Sequence, residues 1–311
     1  MFISFWIVDL LLAFAPYFKK PAKPREGHIG KEHYTILIPC YNGYQPTYLG
    51  ESDENVIFCM DGFSKAETIK KALSMVETPY TVIMDGDTVP GGDLKLAVQA
   101  LEDEGADLAS VRVLPATSPN PTLIERFQEI EYALAMRTRR WSPFLTSGAL
   151  IIGRTESLRK ILNNHSGNFV GEDLEVGLTA KKLGMKVIHV DFPAYTQVPR
   201  SLKALLKQRV IWFHGFTVIA SRFGRLKAFL PHAIYGILFY ALMTPLKLFS
   251  LDLALPLIYA IYLLITLAGL PPKTWLILLY PLYSLLKVLT VPIAYVAARI
   301  MKLVDNHGWR R

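Results

Sequence analysis

Between Gly171 and Gly215 the chain carries two residue groups with complementary chemistry. The first, Gly171-Glu172-Asp173-Leu174-Glu175, is a carboxylate cluster able to take a proton from an incoming hydroxyl. The second, Gln208-Arg209-Val210-Ile211-Trp212-Phe213-His214-Gly215, is basic and aromatic. On a helix Gln208, Ile211, Trp212 and Gly215 fall at i, i+3, i+4 and i+7 and share one face, which either meets a ligand or buries itself in protein. Upstream, Asp61-Gly62 and Asp85-Gly86-Asp87 each follow an apolar run. Two carboxylates spaced by a glycine suit a hard divalent cation that also holds a diphosphate; the same residues also make ordinary turns.

Stepping along the chain, short apolar runs at 34–39, 55–60 and 80–84 are rich in β-branched residues and predict buried parallel strands. Helical periodicity covers 64–76, 92–104 and 172–183, and an amphipathic helix with a basic end covers 123–140. This alternation predicts an α/β fold with a mostly parallel sheet and a ligand crevice beyond the strands' carboxyl ends. Tyr41-Asn42-Gly43, Asp61-Gly62 and Asp85-Gly86-Asp87 would converge there.

Charge and hydropathy are unevenly spread. The net charge is +8 and 51% of the residues are hydrophobic. Beyond Glu175 stand three acids, Asp191, Asp252 and Asp305, against 17 of the 34 Lys and Arg. That bias suits an anionic lipid surface or a phosphate-bearing ligand rather than a nucleic-acid groove. Phe2 to Phe18 is apolar apart from Asp9 and is followed, not preceded, by basic residues, which predicts an uncleaved anchor with the next domain in the cytosol. Three apolar stretches, 232–250, 253–270 and 275–298, are each long enough, or nearly so, to span a bilayer. The two cysteines, Cys40 and Cys59, indicate buried thiols rather than a disulfide framework.

Thr-Ile-Leu-Ile-Pro-Cys-Tyr-Asn at 35–42, Met-Asp-Gly at 60–62, Asp-Gly-Asp at 85–87, Thr-Ser-Gly-Ala at 146–149 and Gly-Glu-Asp-Leu-Glu at 171–175 follow one another in an order that resembles the family 2 glycosyltransferases. The segment from Gly171 to Gly215 is most similar to the membrane-embedded synthases of cellulose, hyaluronan and chitin, and to ceramide glucosyltransferase. The resemblance implies a glycosyltransferase domain of the A type. Asp61 would contact the nucleoside of a sugar nucleotide, with Pro39, Tyr41 and Asn42 near the base and Asp85 and Arg209 also on the donor side. Asp85 and Asp87 would hold Mg²⁺ or Mn²⁺ on the diphosphate. Asp173 would be the general base, and Gly148, Glu172, Gln208 and Trp212 would meet the acceptor, Trp212 stacking on a sugar ring. Ile211 stands where the signature has Arg.

The implied chemistry is inverting transfer from a nucleotide-sugar, a UDP-sugar by resemblance, to a growing polysaccharide. The alternatives are a lipid acceptor, either a polyprenyl phosphate or a ceramide-like lipid, and an inactive membrane scaffold or sugar-nucleotide sensor. The organisation expected is an N-terminal membrane anchor and linker over 1–29, a cytosolic catalytic domain over 30–199, interfacial helices over 200–230 and about three transmembrane helices over 231–311. Membrane lipids are expected partners, nucleic acid is not, and an oligomer stays open.

Overall fold

The apolar runs at 34–39 and 80–84 lie between two buried apolar clusters, one on each face of the sheet, whereas the run at 55–59, at the edge, is partly exposed. The structure, a computed structural model, describes residues 20–40, 46–48, 55–59, 64–167, 170–224, 275–301, 304–305 and 308–309. In chain order the central elements are β1 (Tyr34–Pro39), β2 (Asn55–Cys59), α1 (Lys65–Leu73), β3 (Tyr80–Met84), β4 (Thr88–Pro90), α2 (Leu94–Asp103), β5 (Leu108–Ala116), α3 (Leu123–Trp141), β6 (Leu150–Arg154), α4 (Thr155–Asn163), α5 (Glu172–Lys182), β7 (Val187–Gln197) and α6 (Leu202–Arg222). Near the carboxyl end a 3-10 turn, Trp275–Leu278, leads into α7 (Tyr280–Ile300). Along β1 and β3 alternate side chains enter opposite cores. Ile36, Ile38, Val82 and Met84 meet α2, whereas Leu37 and Ile83 meet α1 and α4.

The seven-stranded sheet runs β2-β1-β3-β6-β5-β7-β4. It is mixed, which corrects the expectation of a mostly parallel sheet. β1 is parallel to β2 and β3, and β5 is parallel to β7, but β6 is antiparallel to both β3 and β5, and β4 is antiparallel to β7. Leu150–Arg154 is as apolar as its neighbours and nearly fully buried, so its residue pattern says nothing of its direction. The reversal serves the site: β6 starts opposite Met84, so its lead-in lies at the carboxyl end of β3.

A second layer is helical. α3 opens with a capping box: the Glu125 N–H donates to Thr122 Oγ1 at 3.2 Å, and the Thr122 N–H donates to Glu125 Oε2 at 2.7 Å. Phe127, Ile130, Leu205, Leu276, Tyr280 and Tyr283 join α3, α6 and α7 in one apolar cluster, with Phe127 and Tyr283 stacked at 4.7 Å. The 275–298 stretch, expected as a membrane span, is thus docked on α3 and α6. Among the described residues no helix is long and apolar enough to cross a membrane. The stretches at 2–18, 232–250 and 253–270 lie outside the described residues. Both cysteines are buried and free, facing opposite sides of the sheet.

Candidate active site

At the carboxyl end of β3 four charged side chains meet. Lys65, the first residue of α1, places its Nζ 2.5 Å from Asp85 Oδ1 and 3.0 Å from Glu172 Oε1. Its position follows from the helix start: Ser64 caps α1 by accepting the Glu67 N–H at 3.2 Å, so Lys65 projects from the end that faces the strand tips. Asp85 is the residue directly after β3, and its N–H donates to the Ala149 carbonyl at 3.1 Å. Glu172 and Asp173 open α5, where carboxylates favour the helix N-terminus.

Asp173 is held from two sides. The Gly148 N–H donates to its Oδ2 at 2.8 Å and the Leu174 N–H to its Oδ1 at 2.8 Å, while Thr146 Oγ1 donates to its backbone carbonyl. Gly148, expected on the acceptor side, thus holds the Asp173 carboxylate in place. A Cβ there would sit 2.7 Å from Lys65 Nζ and 3.2 Å from Asp85 Oδ2, so only glycine admits both groups. Burial, then the Glu172 charge, push the Asp173 carboxyl above the ordinary range, against Lys65 and the two N–H donors. Burial also raises Asp85, opposed by Lys65. The Lys65 ammonium stays charged: burial works against it, but the surrounding carboxylates carry its pKa above the usual lysine value. Beneath these groups lies a cavity of about 20 Å³, room for one water, lined in part by Lys65, His165, Glu172 and Asp173.

Glu175, the last acid of the cluster, is a structural anchor. It is fully buried, accepts from Ser166 N at 2.8 Å and Ser166 Oγ at 2.5 Å, and pairs with Arg222 of α6 at 2.9 Å. Below it the helices touch through glycine. Gly171 has φ +75, in the left-handed region, and lies backbone to backbone against Gly215: a Cβ on Gly215 would fall 2.9 Å from Gly171 N. At Gly215 the shared helix face therefore meets protein, and what approaches it is the turn that carries Asp173.

The other expected residues fall into three places. Asp87 sits in the β3–β4 turn, accepting from Thr196 Oγ1 at 3.2 Å and Thr88 Oγ1 at 3.4 Å. Pro39 ends β1 opposite Cys59. Tyr41, Asn42 and Asp61 lie outside the described residues. Arg209 does not join the carboxylate cluster: it is buried, donates to Glu131 Oε2 at 3.0 Å, and lies 4.2 Å over the ring of Trp212, which is 48% exposed. Its Nη1 donates to Gln208 Oε1 at 2.5 Å. Arg209, expected on the donor side, stands behind Gln208 and Trp212. Lys65 was missed by sequence reasoning, although Ser64-x-x-Glu67 directly after an apolar run marks a helix start whose first residue must face the crevice. Glu131 gave no such signal.

Asp85 and Asp87 fit a divalent cation of the Mg²⁺ type, which keeps one or two protein carboxylates and takes its other oxygens from phosphate and water.

A family model described as Glycosyl transferase family group 2 matches residues 80–298. No curated protein matches the chain. Among solved structures, a mannosyltransferase from Pyrobaculum calidifontis, in complex with GDP-Man and Mn2+, is similar at 16% identity and a TM-score of 0.49, over 95% of this chain and 99% of that one. Glucosyl-3-phosphoglycerate synthase from Mycobacterium tuberculosis, solved with Mn2+, uridine-diphosphate-glucose and phosphoglyceric acid, is similar at 15% identity and a TM-score of 0.40, over 65% and 88%. S. aureus TarS 1-349 is similar at 12% identity and a TM-score of 0.38, over 86% and 91%. With the family match covering more than two thirds of its length, including β3, the helix α5 that carries Asp173, and α6, this chain belongs to glycosyl transferase family group 2 and is a glycosyltransferase.

Proposed function

We propose that the chain transfers a sugar, with inversion, from a nucleotide-sugar such as a UDP-sugar to the hydroxyl of a growing polysaccharide, with Asp173 as general base. The observation that carries this reading is the state of Asp173: one carboxylate, fixed by two backbone N–H groups, with its pKa raised by burial and by Glu172. A carboxylate whose pKa is shifted upward is a better proton acceptor than an ordinary one, as hydroxyl activation needs. Asp173 takes the proton as the acceptor oxygen bonds to the anomeric carbon; the bond from that carbon to the diphosphate oxygen breaks, and the nucleoside diphosphate leaves with the electron pair. A single displacement of this kind inverts the anomeric centre. Lys65 holds a positive charge against Asp85 and Glu172 beside the reaction. Mg²⁺ or Mn²⁺ on Asp87 and Asp85 would supply charge neutralisation on the departing diphosphate.

A lipid acceptor is the second reading, favoured by exposed apolar side chains. Trp212 and Phe216 on α6, and Ile293, Val296 and Ile300 on one face of α7, stand out from the surface. With the basic excess beyond Glu175, they support attachment to a membrane surface with the catalytic domain on the cytosolic side.

The test is nucleoside diphosphate release by the full chain in detergent, over UDP- and GDP-sugars with Mg²⁺ or Mn²⁺, with products separated into lipid-extractable and polymeric fractions. Asp173→Asn is expected to lower turnover by on the order of 10² to 10⁴. An Asp173→Asn variant as fast as the wild type would remove Asp173 from the chemistry. The fraction that holds the sugar chooses between acceptors, and metal-dependent binding without turnover would point to a sensor.

A further inference from the structure

Three helices meet at a buried ion pair that the transfer chemistry does not use. Glu131 of α3 accepts from Arg209 Nη2 of α6 at 3.0 Å, and the same Oε2 accepts from the Tyr283 hydroxyl of α7 at 2.9 Å. The two charged side chains are 15% and 6% exposed. From that fixed point Arg209 reaches outward to two side chains at once. Its Nη1 donates to Gln208 Oε1 at 2.5 Å, and its guanidinium lies over the Trp212 ring at 4.2 Å.

We propose that Glu131, acting through Arg209, is the positioning residue of a carbohydrate-binding platform made of Trp212 and Gln208. The proposal rests on the glycosyltransferase reading above and names what holds its acceptor. A guanidinium only donates, so its bond to Oε1 fixes which way the Gln208 amide points and leaves the –NH₂ group to donate to hydroxyl oxygens. An aromatic ring held beneath a cation has one face already covered, which leaves its other face for the C–H side of a sugar ring. The platform is also near the base. Trp212 is three residues before Gly215, a helical advance of about 4.5 Å, and Gly215 lies against Gly171, two residues from Asp173. Glu131 therefore touches no substrate; it keeps a buried cation from turning away from the two residues that do.

The test compares the full chain in detergent with Glu131→Gln and with Tyr283→Phe, which deletes one hydroxyl and spares the charge. Acrylamide quenching of Trp212, isolated by subtracting the Trp212→Phe counterpart of each protein, reads the platform without turnover. Titration with cellohexaose, chitohexaose and maltohexaose, followed by the same signal, reads carbohydrate binding. Nucleoside diphosphate release from the donor to water reads the rest of the site. Glu131→Gln is expected to raise the Trp212 quenching constant at least twofold and to weaken binding of the oligosaccharide that binds the wild type by tenfold or more. Donor hydrolysis should stay within twofold, and Tyr283→Phe should give a smaller effect in the same direction. Unchanged quenching, an equal loss of donor hydrolysis, or a wild type that binds none of the three sugars would overturn the proposal. Failure of the transfer reading shows separately, as an Asp173→Asn variant with full turnover while Trp212 still responds to sugar and to Glu131→Gln.

Discussion

Gly215→Ala places a methyl group where there is backbone. The added Cβ would lie 2.9 Å from Gly171 N, 3.1 Å from the Val170 carbonyl carbon and 3.1 Å from Val170 Cγ1. Two of these atoms are main chain and cannot rotate away, and ordinary carbon contacts begin near ~3.5 Å, so α6 and the Gly171 turn must separate by roughly 0.5 Å. Overpacking of this kind costs about 1–3 kcal/mol of stability. Gly171 leads directly into Glu172 and Asp173, and a displacement approaching 1 Å at reacting groups costs on the order of 10²-fold in rate. The assay is initial-rate nucleoside diphosphate release alongside thermal unfolding. Gly184→Ala is the control: Gly184 has φ +72 with nothing within 4 Å of the added Cβ, so the change costs about 1–2 kcal/mol of backbone strain and leaves turnover alone. Wild-type kcat in Gly215→Ala, or an equal loss of rate in Gly184→Ala, would refute the reasoning.

Lys65→Met removes the cation that lowers both Asp85 and Asp173, so the acid limb of the pH–rate profile should move upward from its wild-type position; a limb that stays or falls contradicts the assigned electrostatics. Glu172→Gln removes the charge that raises Asp173, and its acid limb should move the opposite way. Glu125 is buried, and although burial works against its charge, the Thr122 and Ser118 donors bring its pKa down to about 2. Its depressed value means stability that is present above the ordinary glutamate pKa and lost as pH falls toward about 2. Glu125→Gln should therefore destabilise by about 1.5–3 kcal/mol at pH 7, with the gap closing in acid, read by denaturant unfolding across pH. Asp87→Asn should raise the Mn²⁺ concentration needed for half-maximal release while leaving thermal stability close to wild type; unchanged metal dependence would take Asp87 out of the metal site.

The strands β1, β2 and β3 were legible because each is a continuous apolar run, and helix α5 because acids at its start and lysines at its end match the helix dipole. The reversal of β6 was not, since period and composition encode burial and not direction. Asp173 could be located from its neighbours in the chain, but the burial that raises its pKa, and the Lys65 and Gly148 groups that oppose that rise, come from other elements. The surroundings of Arg209 were not legible for the same reason: its partner Glu131 comes from α3, and Tyr283, which donates to the same carboxylate, comes from α7. The 275–298 stretch is apolar enough to resemble a span because it must serve both α3 and α6.

The antiparallel pairing of β4 with β7 sets the order in which a newly made chain becomes competent. Asp87 is steadied by Thr196, a residue 109 positions later, and the turn that carries Asp173 is seated only when Gly215 arrives. A nascent polypeptide that has already formed β1, β2 and β3 therefore has the strand tips of its crevice while Asp87 lacks Thr196 and the Asp173 turn lacks Gly215. Contacts of such sequence separation close late in folding. The two carboxylates thus take their places only once α6 has been made.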